Sequence, residues 1–278
     1  IVFGDWSSDV CSSDLEAYFG ATELGWDYML ASFAVQHDCC IPQVLSDSCS
    51  EIIAVSAVNL PLKDSLATHD RQFQSINFNF STKTNLITGP NMGGKTSILK
   101  CLGQFCSLVS QGIPIPALEA RIPLYDFIYY NHQSETENLS SFGSEVVAFC
   151  SAINQKGRGL FLLDEFAKGT NPTEGEALAS AVIGYLTKSR HTCVAATHFS
   201  APTKLKDIRQ FRIKGISSSF TLQSNKAEEL GTRLRNLANA MDYELVLLEE
   251  FSPPAMDAIR IAEALGMPSE VLSFLPKE

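Results

Sequence analysis

The stretch with the most specific chemistry is Gly89-Pro-Asn-Met-Gly-Gly-Lys-Thr96, which fits the pattern G-x-x-x-x-G-K-[ST]. It follows an apolar, strand-like run and opens a helix-like run, which is the context that this pattern requires. Glycines let successive backbone N–H groups curl around an anion, and the helix start adds its dipole. We therefore expect a phosphate-binding loop rather than an ordinary glycine-rich turn. Its predicted nucleotide-binding residues are Gly89, Pro90, Asn91, Met92, Gly93, Gly94, Lys95, Thr96 and Ser97.

Two acids, Asp164 and Glu165, come directly after the apolar run at 160–163. Carboxylates at the end of a buried strand suit Mg²⁺, so we expect Asp164 to hold the ion directly or through water, together with Thr96. Glu165 is placed to orient and deprotonate an attacking water. Lys95 would reach the β and γ phosphates. A capped strand end without catalytic function is the alternative interpretation.

His198 follows the apolar run at 192–197. A residue at the carboxyl end of a parallel strand faces the ligand crevice of an α/β sheet. Alone, such a histidine would more often be an ordinary surface residue. With the loop and the acids, it becomes a candidate sensor of the γ-phosphate, and the predicted catalytic residues are Glu165, Lys95 and His198.

A fourth segment, at 138–145, places Ser140 and Ser141 just before a helix-like run. Serines in this position are ordinary helix N-caps, but a helix start can also bind an anion. In the ABC-type arrangement, such a segment completes the nucleotide site of a partner subunit. We therefore include both serines among the predicted nucleotide-binding residues.

The elements that would position these residues alternate between strand-like and helix-like runs, which predicts an α/β fold with a mostly parallel sheet flanked by helices. The predicted elements of this part are strands at 85–88, 126–130, 159–164 and 192–197 and helices from Lys95, at 144–154 and at 173–187. A helix at 16–37 precedes them, followed by a small antiparallel flap at 51–80 whose strand-like runs are separated by a polar turn at 63–71. Beyond His198 we expect strands at 208–213, 217–222 and 243–249, a helix-like stretch at 226–240, and two short closing helices at 257–266 and 269–275.

The bulk composition fits a folded, soluble and cytoplasmic protein. The chain has 278 residues, 45% of them apolar, and neither a membrane-spanning run nor a signal peptide is recognisable. Its cysteines are scattered without the spacing of metal ligands, which favours structural thiols in a reduced compartment. The formal net charge of −10 argues against a broad DNA-binding face on this part of the molecule.

The first fifteen residues have a different character. The low-complexity string at 5–15 resembles a translated adapter from a short-read sequencing library, and a natural disordered arm is the alternative. We expect the natural chain to begin at about Glu16 and to be truncated upstream. Without Asp5, Asp9 and Asp14 the formal net charge is −7.

The quoted motifs together resemble the C-terminal ATPase domain of the MutS family: ITGPNMGGKTS, LSSF-x-x-E, LLDE followed by KGT, and ATHF. The ending IRIAEALGMPSEVL is similar to that family's closing helices, and the resemblance covers about residues 16–275. It implies an ABC-type P-loop NTPase fold, ATP and Mg²⁺ bound between the subunits of a homodimer or a MutS-like heterodimer, and slow hydrolysis used as a conformational switch. It also implies a lead-in helix and linker at 16–50, the ATPase domain at 51–224 and a C-terminal strand with a helical dimerisation appendix at 225–278.

One departure from the family's sequence pattern bears on the process that the conformational switch drives. Mismatch-repair members usually read G-R-G-T-S-T after the acids, whereas this chain has Ala167-Lys-Gly-Thr-Asn-Pro172, in which Asn171 can cap the next helix and Pro172 can open it. The resemblance implies mismatched duplex DNA as the partner, bound through domains missing here. The departure also resembles MutS-like ATPases that reactivate cobalamin-dependent aminomutases, so an aminomutase is the alternative client. A nucleotide-binding module without turnover is disfavoured because Glu165 is present. The aromatic residue that would stack on adenine is not identified by a motif, and the turn at His69 is the candidate.

Overall fold

The structure is a computed structural model that describes residues 12–46, 49–69, 71–90, 94–131, 141–216, 237, 239–249 and 258–275. The helices are α1 (Ser12–Gln36), α2 (Leu60–Ala67), α3 (Lys95–Ser110), α4 (Ser141–Ile153), α5 (Pro172–Lys188), α6 (Ala258–Ala264) and α7 (Ser269–Leu272), with a 3₁₀ turn at Ala201–Lys204. The strands are β1 (Gln43–Leu45), β2 (Ile52–Ala57), β3 (Ile76–Phe80), β4 (Thr84–Thr88), β5 (Glu119–Pro123), β6 (Phe127–Tyr130), β7 (Gly159–Asp164), β8 (Thr192–Ala196), β9 (Arg209–Ile216) and β10 (Met241–Leu248).

The larger sheet has six strands in the order β10-β9-β4-β8-β7-β6. All neighbours are parallel except β10, which pairs antiparallel with β9. The predicted mostly parallel sheet is therefore confirmed. Strands β4, β7 and β8 run in the same direction. The phosphate-binding loop, the two acids and His198 therefore all lie at the carboxyl ends of the strands, on the same side of the sheet.

Helices cover both faces of this sheet, as the alternation predicted. Successive side chains of a strand point to opposite faces. In β7, Leu160 and Leu162 join the buried cluster that contains α3, whereas Phe161 and Leu163 join the cluster that contains α5. The strands that lead to the site are thus buried on both faces, which fixes their ends in place.

The smaller sheet has the order β1-β5-β2-β3 and packs on the other side of α3. The predicted flap is present, with β2 antiparallel to both β3 and β5, but β1 pairs parallel with β5. Strand β5 was not predicted, because its sequence EARIP carries charges and ends in proline. Prediction of a polar turn at 63–71 was wrong for its first half, because helix α2 extends to Ala67. The Asn59 side chain caps α2 by accepting a hydrogen bond from the Leu62 N–H (3.1 Å).

Most of the remaining predicted elements are found within one to three residues of their predicted ends. Helix α1 begins at Ser12, and several of its large apolar side chains are exposed. The predicted strand at 217–222 and most of the helix-like stretch at 226–240 lie outside the described residues. None of the described helices combines the length and apolarity needed to cross a bilayer.

Candidate nucleotide site

The phosphate-binding loop joins β4 to α3 at the carboxyl edge of the sheet. Gly89 and Gly94 both have positive φ, 148° and 85°, so glycine meets a conformational requirement at each end of the loop. Asn91, Met92 and Gly93 lie outside the described residues. Thr96 is exposed and Ser97 is half-buried in the first turn of α3.

Lys95 is buried, with 5% of its surface exposed, and its ammonium bends back over the loop. Its Nζ donates hydrogen bonds to the backbone oxygens of Gly89 (2.8 Å) and Pro90 (3.3 Å) and lies 3.8 Å from Glu165 Oε1. Burial lowers the pKa of Lys95, while the carboxylates of Glu165 and Asp164 oppose this effect. A buried cation held by backbone carbonyls at the mouth of an anion-binding loop is suited to contact phosphate.

Glu165 lies just beyond β7 and faces three basic side chains. Besides Lys95, its carboxylate pairs with Lys168 Nζ and lies 3.8 Å from His198 Nδ1. Burial raises the pKa of Glu165, but the Lys168 hydrogen bond and the charges of all three basic groups outweigh burial and hold that pKa below its usual value. Glu165 is therefore ionised near neutral pH, as a general base must be.

The turn that carries Glu165 is strained. Glu165 and Ala167 have φ values of 52° and 64°, in the left-handed region that residues with a Cβ rarely adopt. The Glu165 N–H donates to the backbone oxygen of Ala196 (2.9 Å), at the end of β8, and this bond fixes the start of the turn.

A second set of bonds comes from Asn131 and Glu145, which sequence reasoning did not single out as site residues. Asn131, just after β6, accepts from the Asp164 N–H and donates to the Asp164 backbone oxygen (3.1 Å). Its amide also donates to Glu145 Oε1 (2.6 Å), and Glu145 Oε2 accepts from the Ala167 N–H (2.9 Å). A backbone partner such as Ala167 N–H leaves no mark in the sequence, so only the Glu in the LSSF-x-x-E segment could have hinted at this link.

His198 follows β8 and is 42% exposed on its side chain. Burial lowers its pKa, although Glu165 opposes the shift, so the imidazole is neutral near pH 7. The loop after it is tied to α5, because the Glu176 carboxylate accepts from the Ser200 N–H (2.8 Å) and the Ala201 N–H (2.6 Å). This contact was not predictable from the residue types alone. The predicted cap of α5 is confirmed, with Asn171 Oδ1 accepting from the Thr173 N–H (3.0 Å) and Pro172 in its first turn.

The predicted Mg²⁺ ligands, Thr96 and Asp164, supply a hydroxyl and a carboxylate, the hard oxygen donors that Mg²⁺ prefers. Asp164 Oδ2 accepts a hydrogen bond from Tyr130 Oη (3.2 Å), which orients the carboxylate. Among the described residues no group of three or more His, Cys, Asp or Glu side chains could form a metal cage. This donor set fits an ion held largely by water and by phosphates.

A cavity of about 760 Å³ opens beside the loop. Gly94 and Ser97 line it on the loop side, and Phe73, Met241 and Tyr243 supply apolar walls. His69 does not line the cavity; its exposed ring instead bonds back to the Ser65 backbone oxygen (2.9 Å). Of the predicted half-site for a partner subunit, Ser140 lies outside the described residues, and Ser141 is the first residue of α4.

The chain is similar to a known protein family and to several curated proteins. The family described as MutS domain V matches residues 85–273. Similar curated proteins include three named endonuclease MutS2. Those from Halothermothrix orenii and Alkaliphilus metalliredigens are 32% and 37% identical over 68% and 67% of this chain and 22% of their own lengths. The one from Fusobacterium nucleatum is 31% identical over 87% of this chain and 28% of its own length. The chain therefore spans less than a third of these relatives. It belongs to the MutS family, and residues 85–273 correspond to that family's C-terminal ATPase domain.

Proposed function

We propose that this domain binds ATP with Mg²⁺ and hydrolyses it. The observation that carries the proposal is the convergence of Lys95, Glu165 and His198 at the sheet edge where the glycine loop opens a helix. Lys95 Nζ and Glu165 Oε1 lie 3.8 Å apart, so both charged groups stand at the same end of the loop, where a terminal phosphate would bind.

In the proposed reaction, water attacks the γ-phosphorus in line with the bond to ADP, and that P–O bond breaks. Glu165 orients the water and accepts its proton. Lys95 leaves the carbonyls of its own loop and neutralises charge on the phosphates, while His198 donates a hydrogen bond to the γ-phosphate. Bound Mg²⁺, near Thr96 and Asp164, would supply further charge neutralisation.

We also propose that adenine enters the cavity beside Gly94. The cavity reaches the loop at Gly94, and its lining includes Phe73 and Tyr243, two aromatic residues that could stack on a base. This assignment replaces the candidate at His69.

For assembly, we propose a dimer, homotypic or with a MutS-like partner, in which Ser140 and Ser141 of each copy complete the nucleotide site of the other. A helix start that brings serines to a second copy's γ-phosphate would favour association in the ATP state. Turnover per subunit should then fall on dilution below the dimer dissociation constant. An unchanged rate at every concentration would exclude the composite site.

For the process that this switch drives, we propose action on DNA through upstream domains, with recognition of mismatched duplexes in repair as the specific role. The relatives named as endonucleases support action on a nucleic acid. Reactivation of a cobalamin-dependent aminomutase is the second candidate, favoured by the Asn171-Pro172 start of α5. The test measures binding of the full-length natural protein to mismatched and matched duplexes, with an aminomutase as competitor. Preference for the mismatched duplex supports the repair role, and displacement of the duplex by the aminomutase supports reactivation.

The ATPase proposal itself is tested by Glu165→Gln. We expect a fall in turnover of about 10²- to 10⁴-fold with ATP still bound, because the amide cannot accept the proton. Single-turnover hydrolysis and ATP-binding titrations measure the two properties separately. Unchanged turnover in this variant would remove Glu165 from the mechanism.

A further inference from the structure

The buried carboxylate of Glu145 has no role in the proposed chemistry, yet it lies close behind the catalytic turn. It is 8% exposed, and it forms no ion pair with any described residue. Burial raises its pKa, although the hydrogen bonds from Asn131 and Ala167 counteract this effect. Burying a carboxylate without a cation is costly, so a specific structural demand should account for it.

The contacts of Glu145 identify that demand. One carboxylate oxygen holds Asn131, which bonds both backbone groups of Asp164, and the other holds the N–H of Ala167. Glu165 lies between Asp164 and Ala167, in a left-handed conformation that is not intrinsically stable. Glu145 thus fastens the turn on the C-terminal side of Glu165, through Ala167, and on the N-terminal side, through Asn131.

We propose that Glu145 is a positioning residue for hydrolysis, which holds Glu165 at the attacking water and makes its orientation follow that of helix α4. Glu145 acts through Glu165 and does not touch the nucleotide. The inference rests on the proposed ATPase activity. Its distinctive consequence is that Glu145 matters for turnover but not for ATP binding, and matters only while Glu165 is present.

The test is Glu145→Gln, which keeps the size of the side chain. The Gln amide can accept a hydrogen bond through only one of its two end atoms, so either Asn131 or Ala167 loses its acceptor. The matched control is Glu174→Gln, an exposed glutamate in the first turn of α5. Turnover, ATP affinity and thermal stability are measured for both, alone and combined with Glu165→Gln, in the full-length protein.

We expect Glu145→Gln to lower kcat by about ten- to a hundredfold, as small misplacements of catalytic groups do, with ATP affinity unchanged. In the Glu165→Gln background it should change the rate no further, because the group it positions is gone. Glu174→Gln should have no effect in either background.

Three results would overturn the inference: turnover like that of Glu174→Gln, loss of ATP affinity in parallel with turnover, or a full additional loss in the double variant. If Glu145→Gln fails to fold, Glu145→Asp applies the same criteria, because its shorter side chain keeps the charge but cannot span both partners. Absence of hydrolysis in the wild-type protein would instead refute the proposed function, so the two failures are distinguishable.

Discussion

Two turns leave the same edge of the large sheet, and they reach unusual backbone conformations by different means. In the described part of the loop after β4, the residues with positive φ are glycines, Gly89 and Gly94. The turn after β7 places Glu165 and Ala167 in the left-handed region instead, and side chains from elsewhere in the chain hold it there. One conformation is therefore encoded locally and the other by tertiary contacts.

The difference has a functional reason. In the proposed function the first turn binds phosphate through its backbone N–H groups, so a side chain is dispensable there and would obstruct the anion. The second must present a carboxylate at one point, so glycine cannot stand at position 165. Strain at such a residue persists only where surrounding structure enforces it. We therefore expect the second turn to depend on distant residues and the first on its own glycines.

The largest expected effect follows from removing the distant support. Asn131→Leu is similar in size but leaves the Asp164 N–H without its acceptor and the Glu145 Oε1 atom without its donor. We expect a loss of about 3 kcal/mol in the free energy of unfolding, since each buried unpaired group costs about 1–3 kcal/mol. Urea denaturation measures it. Asn154→Leu, which removes an exposed bond to the Cys150 backbone oxygen, should cost under about 0.5 kcal/mol; equal losses would contradict the comparison.

The next effect tests the glycines of the first turn. Gly94→Ala should cost about 1–2 kcal/mol in the left-handed region, and its Cβ would meet the Tyr243 ring at 3.3 Å. We expect ATP to bind about tenfold more weakly, as isothermal titration would measure. Gly112→Ala has a similar φ of 71° with no atom within 4 Å, so it should lose stability without losing ATP affinity. Weaker binding in both variants would point to a general loss of structure.

The same contrast explains what could be predicted from the sequence. The loop was recognisable because its glycines, lysine and hydroxyl stand next to one another, and the strands because apolar runs were bounded by polar residues. Asp164, Glu165 and His198 followed from such strands by position. The second turn's support was not predictable, because Glu145 and Ala167 are 22 residues apart and bond through a backbone N–H.

Among the elements that were not predicted, α2 and β5 were missed for a related reason. Helix α2 has only eight residues, and its polar residues are also common in turns. Strand β5 is held by pairing with β1 and β2, which overrides the weak strand propensity of its charged residues. Likewise, Tyr243 lies about 150 residues from Gly94 in the chain. It approaches Gly94 only because β10 is the outer strand of the large sheet and pairs with β9.

A smaller effect concerns the charge around the second turn. Lys168 is 54% exposed and pairs with Glu165, which helps to hold the pKa of Glu165 below its usual value. Lys168→Met removes a cation that favours the carboxylate, so the pKa of Glu165 rises and the acid limb of the kcat profile moves to higher pH. Lys188→Met, at the far end of α5, should leave the limb in place. Because Lys168 is exposed, the shift should shrink at high salt, and a shift of equal size in the control would refute the local explanation.

The smallest effect is expected for Ala167→Gly, which gives the second turn the residue type that the first turn uses at positive φ. Ala167→Gly relieves about 1 kcal/mol or more of left-handed strain but loses a buried methyl group worth about 0.8 kcal/mol and gains unfolded-state entropy. These contributions nearly cancel, so stability should change by less than about 0.5 kcal/mol. Ala179→Gly is the matched control, because Ala179 is equally buried but helical. There strain relief is absent, and a loss of about 2 kcal/mol is expected from the methyl group and helix propensity. Equal losses at both positions, measured by urea denaturation, would mean that Ala167 is not held in the left-handed region. A loss of stability at position 179 alone would mean that Ala167 is held in the left-handed region by its hydrogen bond to Glu145. Gly94 adopts the same region because it has no Cβ.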